Sequence, residues 1–293
     1  MRKFITLAII SCFSFQQLQA QEKSLLDEIA DSTRKTEKIT GAFKSTRVIN
    51  AHSTEMAGKG DLDVRILHRF GLVNDGIKQL FGLDQASMRM GADYGITKHI
   101  MVGLDRSTFR KELDAFAKVR ILQQTRGYNA MPVSVLVAAG ATVWTEQSFD
   151  SIKPTVGDRA TYYIQLIVGK KITSALSLQL SPVLLHSPNR KDNLGNYNTV
   201  FALGGGGRIK ISKRMAFTFD YHQIMGSKFP GYQSPLSAGI DIETGGHVFQ
   251  LHFSNAVGMN ERAYIAQTSG DFFKGDIRFG FNLSRLFHIG KRR

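Results

Sequence analysis

From Asp61 onward the chain alternates between apolar and polar positions. Leu62, Val64 and Ile66 fall on one side of an extended strand and Asp61, Asp63, Arg65 and Arg69 on the other, the period of two expected of a strand with one apolar face. The pattern returns: Met88, Met90, Ala92 and Tyr94 oppose Arg89, Gly91 and Asp93, and Ile100, Val102 and Leu104 oppose Gly103 and Asp105. It is clearest where Leu113, Ala115, Ala117, Val119 and Ile121 oppose Glu112, Asp114, Lys118 and Arg120. A helix would mix these two sets around its circumference. Further strands are predicted over 133–144, 162–172, 175–184, 199–211, 215–223, 235–242, 247–254 and 276–287, about 12 in all within a range of about 10–14.

The links between strands alternate too. Those at 95–98, 170–174, 212–214 and 243–246 are tight, whereas those at 145–160, 186–198, 224–234 and 255–275 are long and polar; the link at 123–132 is longer than a turn and breaks the rule. Short turns on one rim and long loops on the other are the habit of outer-membrane barrels, in which the short turns face the periplasm. No apolar run reaches the roughly 18 residues that a membrane-spanning helix needs. The pattern therefore predicts an all-β, single-chain antiparallel transmembrane β-barrel in the bacterial outer membrane, with both mature termini in the periplasm. The alternative is a soluble lipid-binding barrel or β-sandwich, which has to hide every one of these apolar faces inside. A single-layer wall with lipid outside accounts for them more simply.

The segment before the strands reads differently. Met1-Arg2-Lys3, an apolar stretch over 4–15 and a small Ala20 follow the order of a secretory signal peptide over 1–20. Ile9-Ile10-Ser11-Cys12 loosely resembles a lipobox. Leu25, Leu26 and Ile29 then recur at helical spacing, which predicts a short amphipathic helix over about 22–38, followed by an extended arm over 46–53. The predicted organisation is thus a signal over 1–20, a periplasmic helix and arm over 21–58 that either lies free or plugs the barrel, and the barrel over 59–293.

Composition adds charge to this picture. Lys and Arg number 38 against 24 Asp and Glu, a formal net charge of +14. Nucleic acid is set aside for an exported chain, and phosphate-bearing outer-membrane lipids are the expected partners. The barrel-insertion machinery is expected to read the aromatic-rich last strand, where Ile277, Phe279, Phe281 and Leu283 lead to Phe287. Charges on the polar strand faces point into the presumed lumen: Arg65, Arg69, Asp84, Arg89, Asp93, Asp105, Asp114, Lys118 and Arg120 are the lumen or binding candidates, joined by Asp63, Arg208, Lys210 and Asp220. They make either a salt-bridge ladder filling a narrow barrel or a permeation path with anion preference from an excess of Arg and Lys. A small anionic solute or a periplasmic protein is the corresponding partner.

Chemistry is sparse. The only cysteine, Cys12, leaves with the signal, and His52, His68, His99, His186, His222, His247 and His288 show no ligand spacing, so no metal site and no cofactor is expected. Gly204 to Gly207 lacks the Lys and helix of a phosphate loop and reads as close backbone approach or a bend in the wall. Trp144, Tyr162 and Tyr221 fit an interfacial aromatic girdle. His252-Phe253-Ser254-Asn255-Ala256 resembles the histidine-x-serine-asparagine stretch of outer-membrane lipid A deacylases, with Glu261 the nearest acid downstream. Strand parity, however, turns His252 and Ser254 inward, away from a lipid substrate.

Five strings carry a wider resemblance: Arg47-Val48-Ile49-Asn50-Ala51-His52-Ser53, His68-Arg69-Phe70-Gly71, Phe81-Gly82-Leu83-Asp84, Tyr94-Gly95-Ile96-Thr97 and Gly280-Phe281-Asn282-Leu283-Ser284-Arg285. Together they resemble a single-domain family of exported Gram-negative β-barrels of unknown function, from about Phe43 to the last strand. The resemblance implies the fold and supplies no catalytic residue. Arg69, Asp84, Arg89 and Asp93 lie close in strand order, which predicts one charged cluster on the lumen wall, near the loop over 71–86.

Overall fold

The computed structural model describes residues 35–147, 154–187, 199–225 and 231–290. Among the described residues, fourteen strands run along the chain: β1 (Thr36–Lys38), β2 (Asp61–Leu72), β3 (Ala86–Gly95), β4 (Ile100–Ser107), β5 (Glu112–Leu122), β6 (Thr125–Gly127), β7 (Ser134–Trp144), β8 (Ala160–Lys171), β9 (Leu176–His186), β10 (Thr199–Lys210), β11 (Met215–Met225), β12 (Leu236–Thr244), β13 (His247–Ser254) and β14 (Arg278–His288). All but β1 and β6 form one closed antiparallel barrel of 12 strands, each paired with its neighbour in sequence and β14 closing on β2. Closure leaves no strand edge for lipid to meet, the condition for β-structure within a bilayer.

The predicted alternation sets the wall's two faces. In β5, Leu113, Ala115 and Ala117 are exposed outside while Glu112, Asp114, Phe116 and Lys118 are buried inside. In β2, Asp63, Arg65 and Arg69 are buried and Val64 and Ile66 lie half exposed. The outer face stays apolar across the barrel, with Leu104 66% and Leu180 59% exposed, as a lipid-facing surface requires. Trp144, at the long-loop rim, sits between the guanidinium groups of Arg110 and Arg159, 5.1 and 4.8 Å from its ring.

Short links at 96–99, 172–175, 211–214 and 245–246 share a rim with the start of β2 and the end of β14, and the longer links mark the other. The irregular link over 123–133 is explained by pairing: its β6 forms a two-stranded sheet with β1. Here the structure corrects the expected helix over 22–38. Its last residues, Thr36–Lys38, are strand, because pairing with β6 satisfies their backbone groups outside the barrel; the expected signal peptide and the rest of the expected helix lie outside the described residues.

Among the described residues, two segments enter the lumen. Residues 42–57 rise from the short-turn rim as a hairpin, closed by Val48 N–H donating to Ala51 O at 2.8 Å and Ser53 N–H to Thr46 O at 3.0 Å. From the opposite rim, the long link between β13 and β14 sends in helix α1 (Glu261–Ala266), all six residues of which are buried. Asn260 caps it by accepting from Ala263 N–H at 2.9 Å.

Candidate functional site

The site is the filled lumen, where the hairpin and α1 meet. Alternation along β2 to β5 brings acids and bases onto one stretch of wall in offset rows. Arg65 donates to Asp93 at 2.7 Å and to Asp105 at 3.1 Å, and Arg89 to Asp105 at 3.1 Å and to Asp114. Gly91 leaves the space that Asp105 fills, since a Cβ there would stand 1.7 Å from its Oδ1. All of these charged groups are buried, where an unpaired charge is costly and pairing is obligatory.

The hairpin is bonded into this wall. Thr46 Oγ1 donates to Asp93 at 2.7 Å, Lys118 Nζ to Glu55 O at 2.7 Å and Thr46 O at 3.2 Å, and Arg120 to Thr54 O at 3.2 Å. At the tip, the backbone N–H groups of Ile49, Asn50 and Ala51 all converge on Asp220 Oδ2, at 3.2, 2.7 and 3.1 Å. Three successive N–H donors around one oxygen make an anion nest, and a wall carboxylate occupies it. Gly206 faces the tip: a Cβ there would stand in van der Waals contact with Val48 Cγ2, at 3.4 Å.

The helix reaches the hairpin through Glu261. Its buried carboxylate pairs with Arg47 and lies 3.4 Å from His52 Nε2, which also meets Tyr163 Oη at 3.0 Å. Phe116 packs beneath, 5.2 Å from the Arg47 guanidinium and 4.6 Å from the His52 ring. On the other side of α1, Glu112 takes Asn260 at 2.6 Å and pairs with Arg262.

The lumen candidates separate on inspection. Arg65, Arg89, Asp93, Asp105, Asp114 and Lys118 come together as one network. Arg69 stands apart, bonded to Ala256 O at 2.9 Å and Asn50 Oδ1 at 3.1 Å, and Asp84 is exposed on the loop after β2. The predicted cluster of Arg69, Asp84, Arg89 and Asp93 is thus not formed: the link after β2 carries Asp84 beyond the wall, and the shear between strands gives Arg89 and Asp93 different partners. The expected excess of Arg and Lys also fails. Buried wall bases are Arg65, Arg69, Arg89, Lys118 and Arg208, five among the described residues, against seven acids, Asp63, Asp93, Asp105, Glu112, Asp114, Asp220 and Asp241. Exposed bases such as Lys59, Lys98, Lys111, Lys213 and Arg214 lie at the turns and rims, where water solvates unpaired charge.

His252 and Ser254 are buried and face inward as parity requires. No hydrogen bond joins the His252 ring to Ser254, whose Oγ meets Ser237 Oγ at 2.9 Å, and Glu261 is engaged by Arg47. The three do not assemble into a nucleophile, base and orienting acid. Sequence reasoning passed over α1, Phe116 and Tyr163. Within the link, the apolar quartet Ala263-Tyr264-Ile265-Ala266 was the available signal for α1.

A closed barrel with an apolar exterior and a filled polar lumen defines a transmembrane β-barrel of the outer-membrane class. The chain belongs to the family described as a membrane bound beta barrel domain, DUF5777, which it matches over residues 43–287. No curated protein matches the sequence. Solved structures similar to it include the KdgM porin (8% identity, TM-score 0.47, covering 78% of this chain and 99% of that one) and the same porin in complex with disordered oligogalacturonate (8%, 0.46, 78% and 99%). The translocator domain of the autotransporter NalP from Neisseria meningitidis is similar at 11% identity and TM-score 0.36, covering 80% of this chain and 90% of that one.

Proposed function

We propose that the protein is a narrow outer-membrane pore in its closed state, with the 42–57 hairpin as the stopper and a small polar solute as cargo. The observation that carries this reading is the tip latch, in which a single wall carboxylate, Asp220, holds three hairpin N–H groups. A permanent plug is most simply built from apolar packing, since buried ionic networks are often no more stable than apolar replacements. A wall of paired charges is instead suited to water once the hairpin withdraws toward the short-turn rim from which it entered. With five buried wall bases against seven acids, the open lumen would show little preference for anions over cations.

Conductance in planar bilayers tests this. The full chain is expected to be mostly silent, and a chain lacking the 42–57 hairpin, shown to be folded by heat-modifiable migration, to conduct steadily. A cysteine pair, Val48→Cys with Gly206→Cys, is expected to hold the pore shut when oxidised and to permit openings when reduced. Silence of both the hairpin-deleted barrel and the reduced pair would sink the pore reading in favour of a binding or structural barrel that α1 alone keeps closed.

A further inference from the structure

On the outside of the barrel, a furrow of about 510 Å³ crosses β8, β9, β10 and β11. Strand register explains its shape. One cross-strand row runs Val168, Leu180, Gly205, Tyr221 and the next Lys170, Leu178, Gly207, Phe219, all on the outward parity. Gly205 interrupts the outer surface where its neighbours carry large side chains, and a Cβ there would meet nothing within 4 Å. Gly207 is covered by the Phe219 ring, 2.6 Å from where its Cβ would stand. The floor of the furrow is therefore open at Gly205, between Leu180 and Tyr221.

The furrow is polarised. Lys170 is exposed and lies one residue from the end of β8 at the short-turn rim, whereas Phe219 and Tyr221 lie several residues into β11. Because barrel strands are tilted to the membrane normal, the rows climb from the rim into the apolar belt as they pass from β8 to β11. With strands spaced about 4.8 Å apart, three intervals span about 14 Å, a length suited to much of a fatty acyl chain. We infer that this furrow is a binding site for an anionic glycerophospholipid of the periplasmic leaflet, its phosphate at Lys170 and one acyl chain lying over Gly205 against Leu180 and Tyr221. The occupant follows from continuity with the lipid-facing wall and from the cation at the end where headgroups lie. It is independent of whether the lumen opens.

The test is native mass spectrometry of the full chain extracted from bilayers of phosphatidylethanolamine with a minor share of phosphatidylglycerol. The wild-type barrel is expected to retain one phospholipid, enriched in phosphatidylglycerol over the bilayer. Gly205→Phe, whose ring occupies the floor, should lower that occupancy about tenfold, as denying burial to about two methylenes would. Lys170→Gln should keep a lipid but lose the enrichment; it is an exposed position and decides the matter alone if Gly205→Phe fails the heat-modifiability check. No retained lipid, equal retention by a folded Gly205→Phe, unchanged enrichment in Lys170→Gln, or a mass of two chains without lipid would each overturn the assignment.

Discussion

The wall of β2 to β5 and the wall of β7 to β10 face the same lumen with different chemistry. The first buries Asp63, Arg65, Arg69, Arg89, Asp93, Asp105, Asp114 and Lys118; the second buries Leu136, Ala138, Ile167, Val183, Leu185, Val200 and Ala202 beside neutral polar groups such as Thr142, Gln165, Gln179 and Ser181, with Arg208 its one buried charge among the described residues. Both inserted segments are matched to this division. The hairpin bonds Thr46 to the charged wall and turns His52 to Tyr163. Helix α1 offers Arg262 to Glu112 and packs Tyr264, Ile265 and Ala266 into the apolar cluster. The first side of the lumen is thus held by charge pairing, and the second by burial together with neutral hydrogen bonds such as Gln179 Nε2 donating to His52 O at 2.8 Å.

The largest expected effect lies on the charged side. Arg89→Ala strands the carboxylate of Asp114 in the interior and leaves Asp105 with Arg65 alone, and should lower stability by about 4 kcal/mol, read as a drop in the thermal transition of the detergent-folded barrel. Adding Asp114→Leu to it should recover most of the loss; failure to recover would mean that the ladder stabilises the wall beyond its own pairing. On the apolar side, Ile167→Ala removes fully buried surface and should cost about 3 kcal/mol in the same measurement. That loss should be insensitive to salt or pH.

Asp220→Ala tests the latch between the two. Three hairpin N–H groups lose their acceptor, a change of about 2 kcal/mol, and the expected readout is the appearance of brief openings in a bilayer with little change in the barrel's thermal transition. The smallest effect belongs outside the lumen. Glu37 pairs with Arg126 at 2.7 Å where β1 meets β6, and the Arg126 guanidinium, by hydrogen bond and by charge, holds its carboxyl below the ordinary range. A carboxylate with a lowered pKa contributes at neutral pH and loses that contribution as the pH falls, but this pair is exposed and screened by solvent, so Glu37→Gln should lower the thermal transition at neutral pH only slightly and leave it unchanged in acid.

The barrel itself was legible in the sequence because its signal is local. Period-two alternation places Arg65, Arg89, Asp114 and Lys118 inside from their own strands alone, and the same parity puts His252 and Ser254 there. Partners were not legible. Arg89 meets Asp105 and Asp114 rather than Asp93 because the stagger of β3 against β4 and β5 decides which rows share a level. Nor was the place of α1 fixed, since the apolar quartet Ala263 to Ala266 marks a segment to be buried without saying whether it packs over the rim or inside the lumen.

By itself, then, the sequence determined the strands, their faces, the polarity of the two rims and the membrane as solvent, since each depends on neighbours one or two residues apart. Only the tertiary structure decided that the lumen is filled, that the motif around Asn50 is a hairpin tip held by Asp220, and that Glu261 pairs with Arg47 across more than two hundred residues of chain. Closing the barrel sets which distant side chains become neighbours, and a buried charge must then pair with whatever group that closure brings within reach.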